Sequence, residues 1–136
     1  MYMMYTVYQL LIALFPMLPF PYMIIFTQIA LGFIYLMAGA MKVFMQGKAR
    51  TMMSALTDYP VWFVMFIGLA EMAGAFGITL PLWSGAVPGL ATLAALGLTL
   101  IMLGAMYTHL RRKEFPQFMM AFVFLIGLVF LAVQGF

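Results

Sequence analysis

Carboxyl and imidazole groups are scarce in this 136-residue chain: three acids and one histidine. Glu71 is the acid in the unexpected place. It is the eleventh residue of the run 61–80, VWFVMFIGLAEMAGAFGITL, whose other residues carry no charge. Twenty helical residues measure about 30 Å, the thickness of a bilayer's hydrocarbon core. Glu71 is therefore expected near the membrane midplane. Ionised and facing lipid it would cost roughly 2.5 kcal/mol or more, so it should face protein and be paired or protonated. Such an acid can carry protons or hold a polar ligand. The plainer alternative is a neutral acid hydrogen-bonded across helices.

The elements around it supply companions. Gln28, Gly32, Tyr35, Gly39 and Lys42 step by four, three, four and three, which keeps them on one helical stripe. Thr92, Ala95, Thr99, Met102, Met106 and His109 form a similar stripe on a later segment. Gly68 and Gly74 bracket Glu71 at minus three and plus three. In lipid, helices associate through small residues and polar contacts, so Gly32, Gly39, Gly68 and Gly74 read as packing positions. The spacing predicts Lys42 and His109 at one end of a polar core, with Glu71 about 15 Å deeper and Tyr35 between. A hydrogen-bonded ladder from Glu71 through Tyr35 to Lys42 or His109 follows from that placement.

Each companion has a simpler reading. Lys42 can snorkel to the headgroups as a topology anchor. His109, beside three basic residues, can be an interface residue. Met102, Met106 and His109 share a face and imitate a soft-metal site, but with 16 methionines in the chain core packing is the better account. No metal is expected. Arg111, Arg112 and Lys113 read as a topology signal that can also hold anionic lipid headgroups.

Composition fixes the class. The chain is 68% hydrophobic and 7% charged, against about 25% charged in soluble domains, and its mean hydropathy is +1.16. This is a polytopic membrane protein in contact with the bilayer. Its net charge of +3 lies beside apolar spans and forms no nucleic-acid surface. The absence of cysteine excludes disulfides, thiolate metal sites and iron–sulfur ligation. A single histidine excludes haem held by two histidines of this chain. No cleaved signal peptide is expected.

The fold predicted is all-α: a four-helix membrane bundle with an additional short N-terminal interfacial helix. Residues 1–21 form that interfacial or half-inserted helix and a proline corner at Pro16, Pro19 and Pro21; a tilted fifth span is the alternative. Tyr2, Tyr5 and Tyr8 suit the headgroup level. The four-span domain covers 22–136, with spans at 22–41, 61–80, 86–107 and 115–136. Trp83 is the expected interface anchor in the turn after the second span. All six Lys and Arg fall in or beside 42–59 and 108–114, so both loops are expected in the cytoplasm and the C-terminus outside.

The run Gly32-Phe33-Ile34-Tyr35-Leu36-Met37-Ala38-Gly39-Ala40-Met41-Lys42 is followed by Ile67-Gly68-Leu69-Ala70-Glu71-Met72-Ala73-Gly74-Ala75-Phe76-Gly77. With a third span closing on His109, this pattern resembles the DoxX/DoxX-like family of small four-span membrane proteins over about residues 22–136. Residues 1–21 look like an addition to it. By that match Lys42, Glu71, Gly74 and His109 are the family positions. The founding members look like a small subunit of a thiosulfate:quinone oxidoreductase, and the resemblance implies a bacterial inner membrane. The chain has no cofactor-binding sequence of its own, so independent redox catalysis is not expected. Three functions follow. The first is a non-catalytic accessory subunit of a larger membrane complex, respiratory or electron-transferring, or a homo-oligomer. The second is a redox subunit binding quinone or lipid through Glu71, Tyr35 and Lys42 or His109, with Gln28 a further candidate at the buried polar site. The third is a proton-coupled carrier.

Overall fold

A computed structural model describes residues 2–14, 20–84 and 89–134. Among these residues four helices are long and apolar enough to cross a membrane. They are α2 (Phe20–Phe44), α4 (Val61–Ser84), α5 (Leu90–Arg111) and α6 (Phe115–Gln134). A shorter helix, α1 (Tyr2–Leu14), precedes them. Its 13 residues measure about 20 Å, and its Tyr2 and Tyr5 are exposed. The expected proline corner at Pro16 and Pro19 lies outside the described residues, as do 85–88 and the side chain of Trp83. Pro21 sits in the first turn of α2, where its missing N–H is harmless.

Three boundaries differ from the sequence reading. Helix α4 runs through Pro81 to Ser84. A proline so near a helix end forfeits one bond, to the carbonyl four residues back, without breaking the body of the helix. Helix α5 takes in Thr108–Arg111, where polarity suggested a loop; its final turn is polar but keeps its backbone bonds. The segment after α2 is folded: α3 (Gln46–Met52) and a 3₁₀ helix (Ser54–Asp58).

The turn between α5 and α6 has a clear local cause. Lys113 has φ of 60°. The Glu114 N–H donates to the His109 carbonyl at 2.9 Å and the Lys113 N–H to the Leu110 carbonyl at 3.1 Å. This is a Schellman ending with lysine at the left-handed position usually given to glycine. The Glu114 carbonyl then accepts from the Phe118 N–H and starts α6.

The helices form a closed ring in which α2 packs on α4, α4 on α5, α5 on α6, and α6 back on α2. Neighbours are antiparallel, as residue pairing shows: Gly32 lies against Thr79 and Gly39 against Gly68. On the next seam Gly77 lies against Ala94 and Gly74 against Leu98. Tyr35 meets Phe124 edge-on with ring centroids 6.3 Å apart, and Leu31 touches Gly127. Leu98, Ile78 and Leu128 fill the centre. Phe33, Phe66, Leu100 and Val123 point outward, which gives the bilayer an apolar surface.

Candidate functional site: a buried ion pair under a charged strap

Lys42 Nζ lies 2.5 Å from Glu71 Oε2, and the two side chains are 7% and 3% exposed. The expectation that Lys42 snorkels outward is corrected. A Cβ built on Gly68 would lie 2.8 Å from the Lys42 Cβ. Lys42 is thus level with the eighth residue of α4, about 10 Å in from Val61. The expected offset of about 15 Å between Lys42 and Glu71 holds only where α2 and α4 end level. They do not: α2 stops more than a turn short, and the chain folds back as α3.

Glycines make the pairing possible. A Cβ on Gly39 would lie 2.5 Å from the Gly68 carbonyl oxygen, and one on Gly68 would lie 2.8 Å from the Gly39 carbonyl oxygen. The two backbones touch where only hydrogen fits, and the ion pair bridges this close approach, with Lys42 level with Gly68 and Glu71 one turn further along α4. Gln28 Nε2 donates to the Ile78 carbonyl at 2.9 Å, a second polar tie between α2 and α4. Gly74 serves the opposite neighbour, facing Leu98 of α5. Residues 68 and 74 lie six apart, which turns them to different sides of the helix.

The ladder does not form as expected. Lys42 and Glu71 bond directly, with no residue between them. Tyr35 is 2% exposed, and its hydroxyl is buried without a hydrogen-bond partner among the described residues. His109 turns away from the core: its Nδ1 lies 2.8 Å from Glu114 Oε2.

Glu114 belongs to a network that sequence reasoning missed. Arg112 Nε lies 2.8 Å from Glu114 Oε1, and Arg112 Nη1 lies 2.8 Å from Asp58 Oδ1. Ser54 Oγ donates to Glu114 Oε1 at 3.0 Å. Arg112 and His109 together hold the Glu114 carboxyl at a pKa of about 2, below its ordinary value, because both bonds favour the ionised form. The same two carboxylates raise the pKa of Arg112. Of the basic trio assigned to lipid headgroups, Arg112 is spent on these carboxylates. Arg111 and Lys113 are exposed, with Arg111 Nη2 3.8 Å from Asp58 Oδ2.

Arg50 braces the connecting segment from within, donating to the carbonyls of Leu56 at 3.1 Å and Tyr59 at 3.0 Å. Thr108 Oγ1 donates to the Gly104 carbonyl at 3.0 Å. The Tyr59 hydroxyl, 2.6 Å from Thr108 Oγ1, is therefore the donor in that contact. The signal that could have found this network was the acid count. Besides Glu71 the chain has two acids, one in each of the segments rich in Lys and Arg.

Comparison with curated proteins gives no match, and comparison with solved structures gives none. The sequence model of the DoxX-like family matches residues 26–131. That span holds the ion pair, the glycine seam and the charged turn. This four-span membrane protein, with its lysine and glutamate joined across the first two spans, belongs to the DoxX-like family.

Proposed function

We propose that the chain works as a non-catalytic, structural subunit of a larger membrane assembly. The observation that supports this reading is the self-sufficiency of the Lys42–Glu71 pair. Each charge neutralises the other at 2.5 Å on a seam closed by Gly39 and Gly68. Chemistry on a substrate needs a group free to bond differently as the reaction proceeds; this pair is placed to hold two helices in register. The charge bias of its loops puts 45–60 and the α5–α6 turn on the cytoplasmic side, and the family resemblance points to a bacterial inner membrane. Arg111 and Lys113 face anionic headgroups there. Extraction in a mild detergent followed by mass measurement tests the proposal. Co-purification with larger membrane subunits is expected. A lone protein carrying a small ligand in its core counts against it.

One observation favours a second reading. The Tyr35 hydroxyl is a buried donor with nothing to bond, and such a group costs about 1–3 kcal/mol. A polar headgroup such as that of a quinone or a lipid would satisfy it, next to the ion pair. Tyr35→Phe keeps the packing and removes the donor. Ligand-dependent turnover that survives Tyr35→Phe and Glu71→Gln would remove this reading.

A further inference from the structure

Lys42 lies two residues from the end of α2, so the ion pair is nearer the charged end of the bundle than the other. Val64 lies seven residues before Glu71, on the same face of α4 and two turns nearer the charged end. It is fully buried, at 0% exposure, although α2 has already stopped alongside. On the connecting segment Ala49 is 0% and Ala55 6% exposed, so this segment has an inner face pressed against protein. Gln46 Nε2 donates to the Lys42 carbonyl, which fixes the start of the segment directly over the lysine. From there 45–60 crosses the end of the bundle and is fastened on the far side. Tyr59 bonds Thr108, Arg112 bridges Asp58 and Glu114, and Ser54 bonds Glu114.

We propose that residues 45–60 are a strap that gates the aqueous approach to the Lys42–Glu71 pair, with Arg112 as its fastening. The physical case rests on an imbalance. The pair itself is held by a desolvated contact and close glycine packing. The charged ties on the strap's far side are partly in water, with the side chains of Arg112 and Asp58 each 26% exposed and that of Glu114 19% exposed; the Tyr59–Thr108 bond beside them is the drier tie. Ion pairs wet to that degree are weak, so this edge opens long before the bundle does. The charged groups near the fastening are Asp58, Arg111, Arg112, His109 and Glu114, with exposed Lys113 and, on the strap itself, Arg50, which donates to the Tyr59 carbonyl. Among the described residues only Arg112 joins the strap's acid to the acid of the α5–α6 turn at hydrogen-bond distance. An opened strap admits water and protons to the buried carboxylate and ammonium; a closed one seals them.

The chain contains no cysteine, so it is its own background for thiol labelling. Val64→Cys places a small thiol on the approach. Ala95→Cys, at a core position that is 0% exposed, places a control thiol within the bundle. Both are reacted with a small membrane-impermeant methanethiosulfonate supplied to both faces of native membrane fragments. Adding Arg112→Gln is expected to raise the Val64→Cys labelling rate about tenfold and leave Ala95→Cys unchanged. Asp58→Asn, which frees the strap but leaves Arg112 on Glu114, should raise it in the same direction by less. An unchanged Val64→Cys rate in both variants overturns the proposal. So does an equal rise at the two thiols, which would mean the whole bundle had loosened.

Discussion

Removing one member of the Lys42–Glu71 pair should be far worse than removing both. At 2.5 Å and an effective dielectric near 20, the attraction is ~332/(20 × 2.5), about 7 kcal/mol. Against it stands the cost of taking two ions out of water, several kcal/mol each. The two sums nearly cancel, so the intact pair contributes little net stability. A single substitution cancels only one side. Glu71→Gln leaves an ammonium buried without a counter-charge, and Lys42→Met leaves a carboxylate in the same position. Each should cost about 3–5 kcal/mol. In Lys42→Met/Glu71→Leu both charges are gone, and the double variant should lie within about 1–2 kcal/mol of the parent. The coupling energy from the full cycle should therefore exceed about 3 kcal/mol. Equilibrium unfolding of the four proteins in mixed micelles, followed by helical circular dichroism, measures it. Additive losses, with the double variant as unstable as the sum of the singles, would refute the reasoning, because they would mean that the two side chains do not meet.

The glycines should divide sharply. Gly39→Ala and Gly68→Ala force a methyl into the facing backbone oxygen and should each cost about 1–3 kcal/mol. Gly97→Ala and Gly104→Ala meet nothing within 4 Å and should be neutral or gain up to about 1 kcal/mol of helix propensity; the same unfolding assay compares them. Lys113→Gly relieves the left-handed residue at φ 60° and should stabilise by about 0.5–1 kcal/mol, read as a raised midpoint in the same titration. Glu114 gives a pH signature. Its carboxyl titrates lower in the folded protein, at about 2, than its ordinary 4.5, so the folded state resists protonation. Its contribution is complete above pH 4.5 and falls away as pH drops toward about 2. Glu114→Gln should flatten the acid side of a stability–pH curve over that interval, and an unaltered curve would count against the network.

The spans were legible because each is a long apolar run, and a run of that length has one use. The glycine stripe on α2 was legible for a related reason: Gly32 and Gly39 lie seven apart on one helical face, and both face α4. Where the chain turns was less legible. Hydropathy falls at Pro81 and Thr108 while backbone hydrogen bonding continues, so α4 and α5 outrun their apolar windows. The depth of Lys42 was not legible at all. It depends on how far α2 stops short of α4, which is a relation between two helices and is written in neither. The strap's fastening was hidden likewise, since Asp58 and Arg112 stand 54 positions apart and no local pattern links them.

What an apolar bundle in lipid lacks is a reason to prefer one register over the next. Hydrocarbon solvates an outward leucine as well as a neighbouring helix does, so sliding α2 along α4 by a turn changes the apolar balance little. Two features break that degeneracy here. The reciprocal contact of Gly39 with Gly68 allows close approach at one point, and a slip of a turn, about 5.4 Å, brings side chains there instead. The same slip pulls Lys42 away from Glu71 and strands two charges in a dry interior. A pair that adds little to the stability of the correct arrangement thus adds several kcal/mol to the cost of the wrong one. That is the sense in which an acid at the middle of a membrane suits the structural role proposed for this chain: the carboxylate specifies the scaffold, and the proposed strap decides when water can reach that carboxylate.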